Sequence, residues 1–338
     1  MNVFVTGGSG LVGRHVIAAL RRRGDRVRAL ARRASAAAEL AALGAEPLAG
    51  DLSDAVRLDA LIAGSDAVVH AAAVVLGGGP WRVWHETNVA GTERIARSAA
   101  RHGARLVHIS SVAVYGRRPA RDLDGIALDE TFDLDHATPA RDAYARSKRE
   151  AEQAVWRTAA ETQLSAIALR PCVLYGEGDR HLSPRLARLL RLGLVPRAGR
   201  GDNRLTVVYA GSVADAVTAA LDRRGVTGPF NVANDGNLSL RAFVERFAAG
   251  LGERPRWLPL PAGLARAAAR AWDAALDVLP RPAASLSLGN AVQFLTADNP
   301  YSSARAEREL AWRPSVDAAE AAERTGASFR RTAPPTHP

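Results

Sequence analysis

A tyrosine and the chain's single lysine stand four residues apart in Tyr144-Ala145-Arg146-Ser147-Lys148. On a helix that spacing places both side chains on one face. A free phenol, with a pKa of about 10, exchanges protons poorly at neutral pH, and a fixed ammonium beside it stabilises the phenolate and lowers that value. The pair is a candidate acid/base. Arginine supplies every other residue in a basic total of 45, so an ordinary surface ion pair would not have called for lysine; the compact ammonium at 148 is read as chemically required. Upstream, His108-Ile109-Ser110-Ser111-Val112-Ala113-Val114-Tyr115-Gly116 ends a β-branched run with two hydroxyls, one of which could polarise a carbonyl. At the start of the chain, an apolar strand enters Gly7-Gly8-Ser9-Gly10-Leu11-Val12-Gly13 and then a helix. Residues without side chains let the backbone approach a pyrophosphate, and a helix N-terminus offers free N–H groups. Arg14 follows the last glycine where a P-loop would need lysine.

These residues need a parallel sheet to hold them. Short apolar runs at 2–6, 26–31, 46–49, 67–71, 105–110 and 166–170 read as strands. Stretches at 11–23, 56–63, 84–102 and 140–162 carry apolar residues at helical spacing, giving βαβ units and a doubly wound α/β fold of the Rossmann type. After Pro171 the alternation becomes irregular, with strand-like runs at 205–209 and 230–233 and helices at 213–222, 240–251 and 261–279. Residues 1–172, with returns at about 205–234, are expected to form the dinucleotide-binding domain. Residues 173–204 and 235–331 are expected to form a smaller substrate-binding region, and 332–338 a disordered tail.

A dinucleotide bound at the glycine turn reaches the end of the second strand, where a carboxylate usually accepts the adenosine ribose hydroxyls. Here that position reads Ala31-Arg32-Arg33. Two guanidiniums suit a 2′-phosphate, so NADP is expected over NAD. Gly50-Asp51-Leu52 ends the next strand, where Asp51 would meet the adenine amine or cap the following helix. Trp81 and Trp84 follow a Gly-rich loop near the nicotinamide position, as substrate-pocket or core residues.

The motifs together resemble the extended short-chain dehydrogenase/reductases. TGGSGLVG at 6–13, GDL at 50–52, HAAA at 70–73, NVAGT at 88–92, SSVAVYG at 110–116, YARSK at 144–148 and RPCVLYGEGD at 170–179 occur in that family's order, covering the chain to about residue 330. The resemblance implies a catalytic set of Ser111, Tyr144 and Lys148, with Tyr144 exchanging a proton and Lys148 also holding the nicotinamide ribose. It further implies cofactor contacts from Gly7, Gly10, Leu11, Val12, Gly13, Ala71, Ala72, Ala73, Asn88, Ser110, Pro171 and Val173, besides Arg32, Arg33, Asp51 and Leu52. Val112 and Tyr175 join Trp81 and Trp84 as expected substrate contacts. Where nucleotide-sugar epimerases and dehydratases commonly carry Arg-Asp-Phe before Tyr-Val, this chain has Leu205-Thr206-Val207 before Val208-Tyr209, with Arg204 one place early. Its second half is closer to the 3β-hydroxysteroid dehydrogenase-like and dihydroflavonol reductase-like branch. The expectation is therefore an NADP-dependent interconversion of a secondary alcohol and a ketone on a hydrophobic molecule. A sugar-nucleotide 4-epimerase or dehydratase with tightly held NAD is the alternative, and a non-catalytic dinucleotide-binding scaffold the second.

Composition narrows the class. With 47% hydrophobic and 24% charged residues the chain can bury a large core. One cysteine, Cys172, allows no internal disulfide, and no His/Cys spacing suggests a metal. The formal charge of +10 comes from arginines spread along the chain, which argues against a nucleic-acid footprint. The longest apolar run is too short for a membrane span, and a cytoplasmic homodimer is expected. The 260–279 stretch, with Leu264, Ala268, Trp272, Leu276 and Leu279 on one face, reads as a packed helix, a lid or a weak membrane-surface contact.

Overall fold

The computed structural model describes residues 1–75, 77, 79–116, 127–134, 142–233, 235, 236, 238–261, 263, 264, 267, 268, 271, 292 and 294–330. Its strands in chain order are β1 (Asn2–Thr6), β2 (Arg26–Ala31), β3 (Glu46–Ala49), β4 (Ala67–His70), β5 (Arg105–Ile109), β6 (Ala166–Pro171), β7 (Val173–Tyr175), β8 (Val195–Ala198), β9 (Val207–Tyr209), β10 (Gly228–Val232) and β11 (Trp257–Leu260). The helices are α1 (Leu11–Arg22), α2 (Ala34–Ala42), α3 (Ala55–Ile62), α4 (Trp81–Trp84), α5 (Gly91–Arg101), α6 (Ala143–Glu161), α7 (Leu182–Arg191), α8 (Ala210–Asp222), α9 (Leu240–Leu251), α10 (Ala304–Glu309) and α11 (Ala318–Ser328).

Seven strands form one parallel sheet in the order β10-β6-β5-β4-β1-β2-β3. Because side chains alternate across a strand, each central strand feeds two cores. Val3 and Val5 pack with α1 and α8, whereas Phe4, Val68 and Leu106 pack with α3, α5 and α6. The same alternation turns Thr6, His70, His108 and Ser110 toward the α5/α6 face, where Thr6, His70 and Ser110 find hydrogen-bond partners inside the protein and, among the described residues, neither ring nitrogen of His108 does.

A second core gathers Tyr175, Leu190, Val195, Tyr209, Phe243, Phe247 and Leu251 around α7, α9 and α11. Helices α9 and α11 cross at backbone contact: a Cβ on Gly250 would lie 1.9 Å from the Glu323 carbonyl oxygen. Two assignments change. The run at 205–209 does not return to the main sheet, because β9 pairs with β7 in a separate two-stranded sheet. Residues 304–312, expected in the substrate-binding region, belong to the first core: Ala306, Leu310 and Trp312 are buried there, and the Trp312 indole donates to the Ser212 carbonyl. Helix α2 was not anticipated, its alanine run lacking periodicity. Most of 261–279 and all of 332–338 lie outside the described residues. Among the described residues no helix is long and apolar enough to cross a membrane.

Candidate active site

The strand order reverses between β1 and β4, and in sheets of this kind ligands sit at the carboxyl ends beside such a reversal. The glycine turn lies there. Gly7 has φ +71°, and a Cβ on it would stand 2.5 Å from the Ala72 nitrogen; one on Gly13 would stand 2.1 Å from the Gly7 carbonyl oxygen. Both glycines are thus needed for the turn to close against Ala71 and Ala72. Gly10 is exposed, and no side chain caps α1, leaving the first-turn N–H groups at Leu11, Val12 and Gly13 open to an anion. This cradle fits the pyrophosphate of a dinucleotide.

Arg32 and Arg33 are exposed at the carboxyl end of β2. Asp51 makes an Asx turn, accepting from the Ser53 amide at 2.9 Å and hydroxyl at 2.8 Å, and these bonds, ahead of the charges of Arg32 and Arg94, hold its carboxyl below the usual range. The cap of α3 is Asp54 instead, which accepts from the Arg57 amide. Leu52 gives its carbonyl to Arg94 at 3.1 Å.

Between α4 and α5 the helix widens into a π turn, His85–Ala90, and this turn presents Asn88. Its amide clamps the loop after β4 to α6: Oδ1 accepts from the Val74 amide at 2.7 Å, and Nδ2 donates to the Val74 carbonyl and to Ser147 Oγ, both at 2.9 Å. Below it runs a closed relay. Thr92 donates to the Asn88 carbonyl at 2.6 Å, so its oxygen accepts from His70 Nε2 at 3.0 Å, and His70 Nδ1 in turn accepts from Thr6 Oγ1 at 2.6 Å. Burial first, then the Lys148 charge, takes His70 down to about 3, so the ring stays neutral and this tautomer is the one that satisfies all three groups.

Helix α6 lies over β5 and β6 with Tyr144, Lys148 and Glu152 along one stripe. Lys148 is buried, and its ammonium donates to the Ile109 carbonyl at 2.8 Å; desolvation lowers it to about 8 against the opposing charge of Glu152. Glu152 is buried too and forms a two-oxygen ion pair with Arg170, accepting also from Ser110 Oγ at 2.6 Å. Arg170 continues to the Tyr115 hydroxyl at 2.8 Å, which reaches Asn231 Oδ1 at 2.8 Å. Of the two serines, therefore, Ser110 belongs to this buried network, and Ser111, the cap of the short 3₁₀ turn Val112–Tyr115, accepts from the Ala113 amide at 3.2 Å and lies near enough to Tyr144 for its hydroxyl to act on the phenol.

The expected lowering of the Tyr144 phenol is corrected here. Burial, helped by the charge of Asp142, pushes it up, opposed by the nearby Ser111 hydroxyl, while the Lys148 ammonium is spent on Ile109. The ring stands edge-on to Trp84, centroids 6.3 Å apart. Trp84 is itself buried, its indole donating to the Gly79 carbonyl at 3.1 Å, whereas Trp81 is half-buried beneath the Arg146 guanidinium at 3.9 Å. Tyr175 is corrected as a substrate contact: it is fully buried in the second core, 4.9 Å edge-on to Phe243, with its hydroxyl on the Ala318 carbonyl. Val112 is buried as well, and Pro171 lies buried at the end of β6, while Val173 is exposed and Ala73 half-buried.

Three elements were missed: the π turn, the buried His70 relay and the buried Glu152–Arg170 pair. A spacing of four that continues from 144 and 148 to 152 was the available signal for the last. His70 and His108, polar residues inside otherwise apolar strands, were the signal for the second. They sit opposite each other in register with rings 5.4 Å apart.

The model of the NAD dependent epimerase/dehydratase family matches residues 3–233. The 2-alkyl-3-oxoalkanoate reductase of Stenotrophomonas maltophilia is 32% identical over 259 residues, 75% of this chain and 76% of that protein. The 4-hydroxy-2-methyl-3-oxo-4-farnesyl-3,4-dihydroquinoline-1-oxide ketoreductase of Stigmatella aurantiaca is 32% identical over 317 residues, 92% of each. In fold, the chain resembles the Thermus thermophilus UDP-glucose 4-epimerase solved with NAD, at a TM-score of 0.70 and 24% identity over 97% of this chain and 99% of that one.

Proposed function

Because the chain belongs to the NAD-dependent epimerase/dehydratase family and is an NAD(P)-dependent oxidoreductase of the extended short-chain type, we propose that it uses NADP to reduce a ketone on a bulky, apolar small molecule. The observation that carries this reading is the gathering of Ser111, which caps the turn at the carboxyl end of β5, with Tyr144 and, one turn further along α6, Lys148 held on the Ile109 carbonyl of the same strand. The glycine turn, Ala71–Ala73, Asn88 and the Arg32/Arg33 pair would hold the dinucleotide, and its nicotinamide would supply the hydride. Ser111 would hold the carbonyl oxygen of the substrate, and Tyr144 would give that oxygen its proton. Trp84 would wall the site from water, and Lys148 would set a positive charge beneath it.

Tyr144 is raised rather than lowered, so it holds its proton at neutral pH, which suits an acid acting on a carbonyl and hence the reductive direction. Two similar proteins, each about a third identical, are named as reductases of oxo compounds bearing alkyl or farnesyl chains, and this supports an apolar ketone as substrate.

A pH dependence follows. Reduction needs both the Tyr144 proton and the Lys148 charge. Tyr144 lies above its ordinary value of about 10, so the first loss on raising the pH is at Lys148, near 8. The rate of NADPH oxidation with a 2-alkyl-3-oxoalkanoate will fall as pH rises through about 8; a profile flat to about pH 9.5 would remove Lys148 as a charged participant.

The cofactor has its own test. Arg32→Ser with Arg33→Ser will weaken NADPH by about a hundredfold and leave NADH within about twofold, as expected for two charged hydrogen bonds to one phosphate. An equal effect on both dinucleotides would place the arginines elsewhere. The epimerase fold likeness favours a second reading in which NAD stays bound through the cycle. Denaturing the purified protein and weighing what it releases separates the two: stoichiometric NAD supports the epimerase, an exchangeable site preferring NADPH the ketoreductase. Binding without turnover on any ketone would leave the scaffold reading. We also take the protein as a cytoplasmic homodimer, which light scattering checks for the assembly.

A further inference from the structure

Strands β8 and β11 run parallel, Trp257 opposite Val195 and Leu258 opposite Pro196. Trp257 and Val195 turn into the second core. Alternation then sends Leu258, Leu260 and Pro196 to the other face, and Leu194, just before β8, follows Pro196. That face is open: Leu194 is 55% exposed, Leu258 47% and Leu260 38%. Leu192 at the end of α7 and Leu264 beyond β11, next to these strands in the chain, are 65% and 66% exposed. The turn carrying Leu192 and Leu194 is tied to β11, since the Val195 amide donates to the Arg256 carbonyl at 2.9 Å and Gly193 faces the Arg256 side chain. Single exposed leucines are ordinary, but a run of them on two joined strands and their flanking turns is a docking surface.

Charge identifies what docks. Residues 182–201 contain no acid, and 253–261 contain only Glu253. Arg254 and Arg256, entering β11 on the same side as Leu258 by alternation, are exposed, as are Arg185 and Arg188 on α7, while Arg191 reaches the Phe329 carbonyl. An apolar centre rimmed by guanidiniums matches a surface of phosphates over hydrocarbon. We propose that this face seats the protein on an anionic phospholipid bilayer, the leucines entering the boundary between headgroups and chains. The proposal goes beyond the ketoreductase reading and does not depend on it.

The test is flotation of the full chain with vesicles of phosphatidylcholine alone or with about 30% phosphatidylglycerol, at about 50 and about 300 mM salt. Wild type will bind the anionic vesicles at least about tenfold better at low salt. Leu258→Asp with Leu260→Asp will lose at least about tenfold of that binding while all the arginines remain. Arg254→Ser with Arg256→Ser will lose much of the dependence on phosphatidylglycerol. Dinucleotide binding and the melting temperature report that the variants fold. If the aspartates disturb the strand pair, Leu192→Ser with Leu194→Ser, in the turn, reads the same face. Equal binding to both vesicles overturns the proposal. So does a leucine variant that binds like wild type, which is adsorption by arginine alone. Self-association by light scattering that the leucine variant abolishes, without vesicle binding, overturns it in favour of a contact between two copies of the chain.

Discussion

Tyr144→Phe will lower kcat for NADPH-dependent ketone reduction by about 10²–10⁴-fold while dinucleotide affinity stays within about twofold. The substitution keeps the ring that stands against Trp84 and removes only the hydroxyl near Ser111. It should not disturb α6, whose N-terminus is fixed by Asp142 accepting from the Ala145 amide, nor the Lys148–Ile109 contact on the same helix. Ser111→Ala will show the same pattern to a smaller degree, because the acid survives and only the hold on the carbonyl oxygen is lost. Single-turnover hydride transfer and a dinucleotide titration on each variant separate chemistry from binding. A Tyr144→Phe enzyme keeping more than about a tenth of wild-type kcat would take Tyr144 out of the acid role.

Glu152→Ala will destabilise the fold by about 3–5 kcal/mol, the usual consequence of leaving one member of a buried ion pair without its partner. The stranded group is Arg170, held in a site where both side chains are 3% exposed. Replacing both residues, Glu152→Leu with Arg170→Met, will recover much of the loss, since apolar groups of similar volume need no partner. Urea unfolding of Glu152→Leu, Arg170→Met and the double variant measures the coupling. Single variants within about 1 kcal/mol of wild type would mean that water reaches the pair. Glu152 also raises Lys148, so any Glu152→Ala protein that folds will lose activity at a lower pH than wild type, the alkaline limb moving down from near 8.

How much of this was legible in the sequence depended on whether a residue's signal was local. The glycine turn, the central strands and the Tyr144/Lys148 spacing each lie within a few residues, and the element positions agree to within three residues at most ends. What escaped was set by contacts between distant segments. Tyr175 lies within the RPCVLYGEGD motif and so resembled a pocket residue, yet it packs in the second core because β7 pairs with β9 rather than with the main sheet. Asp51 lost the capping role to Asp54 through a local choice between two acids that no spacing rule ranks. The raised Tyr144 is a matter of burial, which a helical wheel does not report.

The π turn at His85–Ala90 sets the phase of the helix that carries it. Each residue of an ordinary helix turns the chain by about 100°. Removing one residue from the wide turn would restore a regular helix and swing everything before it through about that angle, taking Trp84 off the Tyr144 ring and the Gly-rich loop with it. Everything after it, including Thr92 in the His70 relay, would keep its place against the sheet. The chain's length in this segment is therefore as constrained as its composition: substitutions at the solvent-facing positions of 85–90 can accumulate freely, whereas the gain or loss of a single residue separates the wall of the site from its floor.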